Sequence, residues 1–398
     1  LKTGELIELG NRYVMQTYGR LPMAIVKGDG IKVWDADGKE YLDFVAGIAV
    51  NALGHCHPAV TQAIERQART LIHCSNLYYI ESQVKLAQLL VHNSDLDRVF
   101  FCNSGAEANE AAIKLARKYA KLNHGDDKYE IITAEHSFHG RTLAAITATG
   151  QPKYRKGFEP LPAGFKYVPF NDIEALREAV GPHTCAIMLE PIQGEGGVNV
   201  ASRDYWEQVQ SLCEEHGLLL ILDEVQTGLG RTGKFLAYMH YGLKPDIVTL
   251  AKALGGGFPI GAMMATEKAA GAFKPGDHAS TFGGNPLACA AGLATVNTLL
   301  EEGIIENAER VGSYFKEKLK ELAVNFPVIC DVRGFGLMLG AQLTKPGADV
   351  VSYCQKKGLL INCASGNVLR FIPPLIISEE DVNRVLPILV EALERISD

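Results

Sequence analysis

Five short apolar runs punctuate the middle of this chain: RVFFC (98–102), EIIT (130–133), AIMLE (186–190), LLLIL (218–222) and DIVTL (246–250). Helical patterns lie between them. The clearest covers residues 105–120, where Ala108, Ala111, Ala112, Leu115, Ala116 and Tyr119 recur at helical spacing. Aliphatic strands alternating with helices predict an α/β fold with a largely parallel central sheet covered on both faces. In open sheets of that kind ligands collect beyond the carboxyl ends of the strands. The residues that terminate these runs are therefore the first candidates for chemistry.

The two ends of the chain read differently. Residues 305–323 form a charged amphipathic helix, VRGFGLMLGAQL and LRFIPPLIIS read as short strands with turns, and a final helix starts near Glu379. We expect a large domain over residues 50–290 and a smaller α+β domain built from residues 291–398 together with the N-terminal segment 1–49. A chain of 398 residues is long enough for such a division and for an enclosed site between its parts.

Composition excludes several classes of function. With 39 basic and 46 acidic residues the net charge is −7, which disfavours a general binder of nucleic-acid phosphates. The compact basic cluster Lys153, Tyr154, Arg155 and Lys156 reads as a solvated loop. Nine cysteines, an odd number with no C-x-x-C spacing, predict a reducing compartment and no disulfide framework. No apolar stretch approaches the roughly 20 residues that span a bilayer, and LKTGELIELG lacks the pattern of a signal peptide. We expect a cytoplasmic protein that engages neither nucleic acid nor membrane.

Chemistry gathers at three strand ends. RVFFC runs into Asn103, Ser104, Gly105, Ala106 and Glu107, where Ser104 and Glu107 have the spacing of a capping box. The free amides of Gly105 and Ala106, with the helix dipole, then suit a phosphate. LLLIL ends in Asp223, either an ion-paired core carboxylate or the partner of a protonated pyridine nitrogen. DIVTL is followed by Ala251, Lys252, Ala253, Leu254 and three glycines. Burying an ammonium there lowers its pKa or demands a partner, and a Schiff-base lysine resolves the conflict. An isolated lysine would instead snorkel to the surface. Together the three features point to pyridoxal phosphate.

At this point the chain resembles the class III (ω-) aminotransferases of the fold-type-I pyridoxal-phosphate superfamily over nearly its whole length. The motifs are AGIAVNALGHCHP, NSGAEANEAAIKLAR, EPIQGEGGV, LILDEVQTGLGRTG, TLAKALGGGFPIGA, STFGGNPLAC and NVLRFIPPLI, and within the class they are most similar to the acetylornithine aminotransferases. The resemblance implies transfer of a distal amino group from an ω-amino donor to 2-oxoglutarate. Lys252 would carry the cofactor and move the proton, Asp223 would pair with the pyridine nitrogen, Val225 and Phe138 would pack on the two ring faces, and Gln226 would contact the phenolic oxygen. Ser104, Gly105 and Ala106 would lie at the phosphate. Thr281 would reach the phosphate of a neighbouring subunit, with Ser280 beside the substrate, which implies a homodimer. Arg141 would bind the α-carboxylate of acetylornithine, and Arg370, masked by Glu195, that of glutamate or 2-oxoglutarate. Tyr18 is retained in the substrate pocket, whereas Ile48 stands where ornithine aminotransferases carry a tyrosine that helps bind a free α-amino group.

Rival readings lack context. Gly228, Gly230 and Gly233 satisfy G-x-G-x-x-G, but DEVQT separates them from the preceding strand and a poorly helical stretch follows, which argues against a nicotinamide dehydrogenase. His55, Cys56, His57, His136 and His139 lack zinc spacing, so no metal is expected. Within the family, ornithine, succinylornithine, 4-aminobutyrate and N-blocked lysine intermediates stay open as donors, because apolar pockets separate close homologues by only a few kcal/mol.

Overall fold

The computed structural model describes residues 1–397. Its centre is a seven-stranded sheet in the order Arg98–Cys102, Gly261–Ala265, Ile247–Leu250, Leu219–Asp223, Thr184–Leu189, Glu130–Ala134 and Phe165–Val168. Gly261–Ala265 runs antiparallel to both neighbours, and every other adjacent pair is parallel. All five apolar runs are strands. The central ones are buried throughout, as a sheet covered by helices on both faces requires.

Two strands, Phe165–Val168 and Gly261–Ala265, did not stand out in the sequence. GAMMA lacks β-branched residues, and its strand state comes from its position between two strands. Gly261 also admits no side chain, because a Cβ there would come within 2.5 Å of the Ser104 carbonyl.

Helix Gly105–His124 packs closely because its inward face is small: Ala108, Ala111, Ala112 and Ala116 are fully buried. Its start is capped by Ser104 Oγ, which accepts from the Glu107 amide at 3.2 Å. The Glu107 carboxylate turns back to the Asn103 amide at 2.6 Å, one residue before the cap.

Two four-stranded sheets flank this body. One holds Ile25–Asp29, Lys32–Asp35 and Glu40–Asp43, with Leu359–Leu360 added in parallel. The other runs Ile329–Phe335, Met338–Leu343, Val368–Phe371 and Asn362–Ala364, all antiparallel. Helix Ile304–Asn325 lies against this second sheet, and helix Glu379–Ser397 begins where the sequence indicated. Helix Pro286–Glu301 crosses residue 290 unbroken and packs on helices Pro58–Thr70 and Glu81–His92. No single helix among the described residues is long and apolar enough to cross a membrane.

The helix Ile304–Asn325 meets the turn at Gly336 with no room to spare. A Cβ on Gly312 would sit 2.1 Å from the Gly336 carbonyl oxygen, and a Cβ on Gly336, at φ +51°, would sit 2.5 Å from the backbone carbon of Thr232. Alanine in place of an exposed helical glycine stabilises by about 1 kcal/mol. Here the sign reverses. Gly312→Ala is expected to destabilise by about 1–3 kcal/mol, as overpacked cores do, and urea unfolding of the variant checks this.

Candidate active site

Beyond the carboxyl ends of the central strands lies a cavity of about 440 Å³. Lys252 stands on its wall, in a short 3₁₀ turn just after the strand Ile247–Leu250. The residue takes φ +46°, a conformation uncommon for a non-glycine residue, and the turn closes through Gly256 at φ +56°. Burial pushes its amine down to about 8, while Glu195 pulls against that shift and Arg370 adds to it.

Asp223 ends the adjacent strand and is 4% exposed. Its Oδ2 accepts from Asn109 Nδ2 and from His139 Nδ1, each at 2.8 Å, and its Oδ1 accepts from the Val225 amide at 3.0 Å. A carboxylate offers about four lone-pair sites, so capacity for one further donor remains. Burial opposes a charge on His139, but the hydrogen bond and charge of Asp223 outweigh it and raise the imidazole's pKa. Asn109 is fixed in turn by Thr249 Oγ1, which donates to its Oδ1 at 2.7 Å, and it donates to the His139 carbonyl at 2.7 Å.

Ser104, Gly105 and Ala106 bring the start of the long helix to the same cavity. The first amides of a helix have no intrahelical acceptor and carry the positive end of its dipole, so this wall suits an anion. Gly105 lets Val225 close in, since a Cβ there would meet Val225 Cγ1 at 2.8 Å.

On the far side Glu195 lines the cavity and pairs with Arg370 behind it. Arg370, 2% exposed, donates from Nη1 to Glu195 Oε1 at 2.7 Å and to Gln226 Oε1 at 3.2 Å, and from Nε to Asn362 Oδ1 at 3.1 Å. Burial raises the Glu195 pKa, but Arg370 more than offsets that and holds the carboxyl below its ordinary value. Arg141 is exposed at the rim, its guanidinium 4.1 Å from the Tyr154 ring centroid and 5.5 Å from that of Phe138. It has no carboxylate partner among the described residues, which leaves its planar fork open to an incoming carboxylate.

Lys252, Asp223, Ser104, Gly105, Ala106, Phe138, Arg141, Glu195, Val225 and Gln226 all line this cavity, and Arg370 contacts it through Glu195 and Gln226. Four expected residues are not on its wall: Arg370, which lies behind Glu195 and Gln226, and three that lie elsewhere. Tyr18 is 73% exposed beneath Arg20, and Ser280 and Thr281 line a separate cavity, although Asn103 Nδ2 donates to Ser280 Oγ at 3.3 Å. Ile48 is also absent from the lining, whereas Val50 is present.

Sequence reasoning passed over Asn109 and Glu190 and considered His139 only as a metal ligand, which its spacing disfavoured. Glu190 ends the AIMLE run, so the rule that flagged Asp223 applied to it equally. Its carboxyl accepts from the amides of Phe138 at 3.1 Å and Gly194 at 3.4 Å, and burial raises its pKa to about 7. Asn109 carried a weaker signal, an amide on the alanine-rich face of a helix.

Such a site can hold an anionic group at the helix start, a cationic ring nitrogen at Asp223 and a carbonyl within reach of an amine. Comparison with known proteins gives the same direction. Residues 13–393 match the model of the family described as Aminotransferase class-III. The acetylornithine aminotransferase of Caldanaerobacter subterraneus subsp. tengcongensis is 59% identical, over 98% of this chain and 100% of that protein. That of Methanocaldococcus jannaschii is 55% identical over 98% of each. Among solved structures, the ornithine aminotransferase of Toxoplasma gondii superposes with a TM-score of 0.95 at 36% identity, covering 100% of this chain and 96% of that one. With the strand-end lysine, the buried aspartate and the helix start in one cavity, these likenesses show that the chain belongs to the class III aminotransferases.

Proposed function

We propose that this enzyme moves the distal amino group of N-acetylornithine to 2-oxoglutarate, giving N-acetylglutamate semialdehyde and glutamate, a step of arginine biosynthesis, with pyridoxal 5′-phosphate as cofactor. The observation that carries this reading is the buried Lys252, its amine lowered to about 8, beside Asp223 in a cavity that also receives a helix start. The proteins that resemble it at 55–59% identity are acetylornithine aminotransferases, and Ile48 stands where a tyrosine would serve unacylated ornithine.

The residues fit the cofactor. Ser104, Gly105 and Ala106 would hold its phosphate, Val225 and Phe138 would pack on the ring, and Gln226 would contact the phenolic oxygen, all of them on the cavity wall. Asp223 would keep the ring nitrogen protonated, with the acceptor capacity that Asn109, His139 and Val225 leave free. When bound, pyridoxal phosphate supplies an electron sink for the carbon that bears the transferred amine. Lys252 would hold it through its amine and would be the base that moves the proton. A lysine near pKa 8 is a competent base close to neutral pH, which an exposed amine at 10.5 is not.

Two donors must use one site with different ends. N-acetylornithine anchors its α-carboxylate on Arg141 while Glu195 neutralises Arg370. For glutamate the pair opens, Arg370 takes the α-carboxylate and Arg141 the distal one; Tyr18 and Ser280, off the cavity wall in the single chain, would join the substrate pocket only in the homodimer. The minimal unit is a homodimer in which Thr281 would reach the phosphate held by the partner subunit. Exposed apolar side chains near Ser280 and Thr281 support this: Leu77 is 84% and Phe282 61% exposed in the single chain. The division into residues 50–290 and a smaller domain from 1–49 and 291–398, and a cytoplasmic location, belong to the same reading.

Borohydride treatment followed by peptide mapping is expected to find the pyridoxyl group on Lys252, and Lys252→Ala to keep its fold while losing nearly all transamination. A label on another lysine overturns the assignment. Glu195→Ala leaves Arg370 unmasked, though still bonded to Asn362 and Gln226. A charge-assisted hydrogen bond is worth about 1.5–3 kcal/mol, so kcat/KM for glutamate is expected to rise about tenfold to a hundredfold. The value for N-acetylornithine should rise less or fall. Single-turnover half-reactions with each donor measure the two effects, and an unchanged ratio would show that the pair does not act as a gate.

A further inference from the structure

Arg231 is 1% exposed, and burial with no carboxylate to offset it pushes its guanidinium down to about 9. Its Nε and Nη2 are buried without partners. An arginine in this state is a costly way to fill space, since an apolar side chain of similar volume carries no desolvation penalty. What it supplies must come from its remaining nitrogen.

That nitrogen, Nη1, donates to the carbonyl oxygens of Leu337 at 2.8 Å and Pro373 at 2.5 Å. These two residues are a matched pair. The strands Met338–Leu343 and Val368–Phe371 pair in the register Gly340 with Arg370 and Leu339 with Phe371. Continued by two residues, that register sets Leu337 opposite Pro373. Arg231 thus clamps the ladder beyond its last backbone pair, three residues from Arg370, and its own carbonyl accepts from the Leu337 amide at 3.0 Å.

The same loop holds the other end of Arg370. Gln226, five residues before Arg231, accepts from Arg370 Nη1 at 3.2 Å. The loop between them is stiffened by Glu224, whose carbonyl accepts from the Gly228 amide at 2.9 Å and whose carboxyl accepts from Thr227 Oγ1 at 2.7 Å, the Ala237 amide at 2.9 Å and the Tyr238 amide at 2.8 Å. Arg370 is therefore fixed by one loop at its side chain and at its strand end.

We infer that Arg231 is a positioning residue for Arg370, setting the strand that carries it at the distance from Lys252 that an α-amino acid requires. This rests on the assignment of Arg370 to the α-carboxylate of glutamate. The donor that does not use Arg370 is affected less, and this difference separates positioning from a structural role.

The test compares Arg231→Met, Arg231→Lys and Arg370→Lys in the holoenzyme, by single-turnover half-reactions with glutamate and with N-acetylornithine and by calorimetric titration with glutarate. A displacement near 1 Å can cost up to about a hundredfold, so in Arg231→Met kcat/KM for glutamate is expected to fall at least about tenfold and glutarate to bind correspondingly weaker, with N-acetylornithine losing less than about threefold. Arg231→Lys, which retains a charged donor, should recover part of the loss. It also carries the test should the methionine variant fail to fold. Equal losses for both donors in the Arg231 variants, or none, with Arg370→Lys selective for glutamate, overturn the positioning role alone. Loss of selectivity in Arg370→Lys itself overturns the assignment of Arg370, and the inference falls with it.

Discussion

The site depends on burying carboxylates at neighbouring strand ends. Glu190, Asp223 and Glu224 lie there, each almost excluded from solvent. Burial raises both Glu190 and Glu224 to about 7. Unpaired buried charges cost several kcal/mol, so the surrounding chain has to meet them with donors. His139 and Asn109 converge on Asp223, the amides of Phe138 and Gly194 on Glu190, and those of Ala237 and Tyr238 on Glu224. Each contact fixes a segment the proposed chemistry uses. The Glu190 contacts set the backbone of Phe138 and the residue before Glu195, and the Glu224 contacts fold the loop that presents Val225, Gln226 and Arg231.

This pattern explains what could be read from the sequence. Lys252 and Asp223 were legible because each follows an apolar run at its carboxyl end, where a polar residue needs either a partner within the protein or a bound group. Ser104 was legible through its spacing to Glu107. Asn109, His139 and Glu190 were harder because their meaning is relational: an amide inside an alanine-rich helix acquires a role only when Asp223, 114 residues away, arrives opposite it. Gly261–Ala265 was hidden for a similar reason, its strand state coming from neighbours instead of its own propensity. The G-x-G-x-x-G of residues 228–233 shows the converse, a local pattern whose glycines serve close packing. A Cβ on Gly233 would meet Glu309, and one on Gly230 would meet Ile305, both on the helix Ile304–Asn325.

Backbone strain gathers around the same place. Ala46, Gly47, Ile48 and Ala49 all take positive φ, one left-handed turn in which Ile48, a β-branched residue, sits at +63°. Such a turn costs roughly 1–2 kcal/mol for each non-glycine residue, so neighbours must impose it. Asp43 does so at its start. Its Oδ1 accepts from the amides of Val45 and Ala46 at 2.9 Å, while His55 Nε2 lies 2.8 Å from its Oδ2. The turn ends at Val50, on the cavity wall. Lys252 at +46° is strained on the same wall, and His136 and Ser365, also at positive φ, line an adjoining cavity that shares Glu195.

Strain and charge together bear on how one cavity handles two donors. A pocket that rejected one carboxylate by shape alone could not admit the other, because both donors bring an α-carboxylate and differ in which end must reach Lys252. Arg370 alone would capture an α-carboxylate in either half-reaction. Glu195 changes this by occupying the same guanidinium without leaving a buried charge unpaired, and Asn362 and Gln226 keep Arg370 in place whichever anion it faces. In the proposed function selectivity lies in a competition between an internal carboxylate and that of a substrate for one fixed arginine. Such a competition is close only if the arginine is held rigidly, and the bonds from Arg370 to Gln226, in the loop after Asp223, and to Asn362 supply that rigidity.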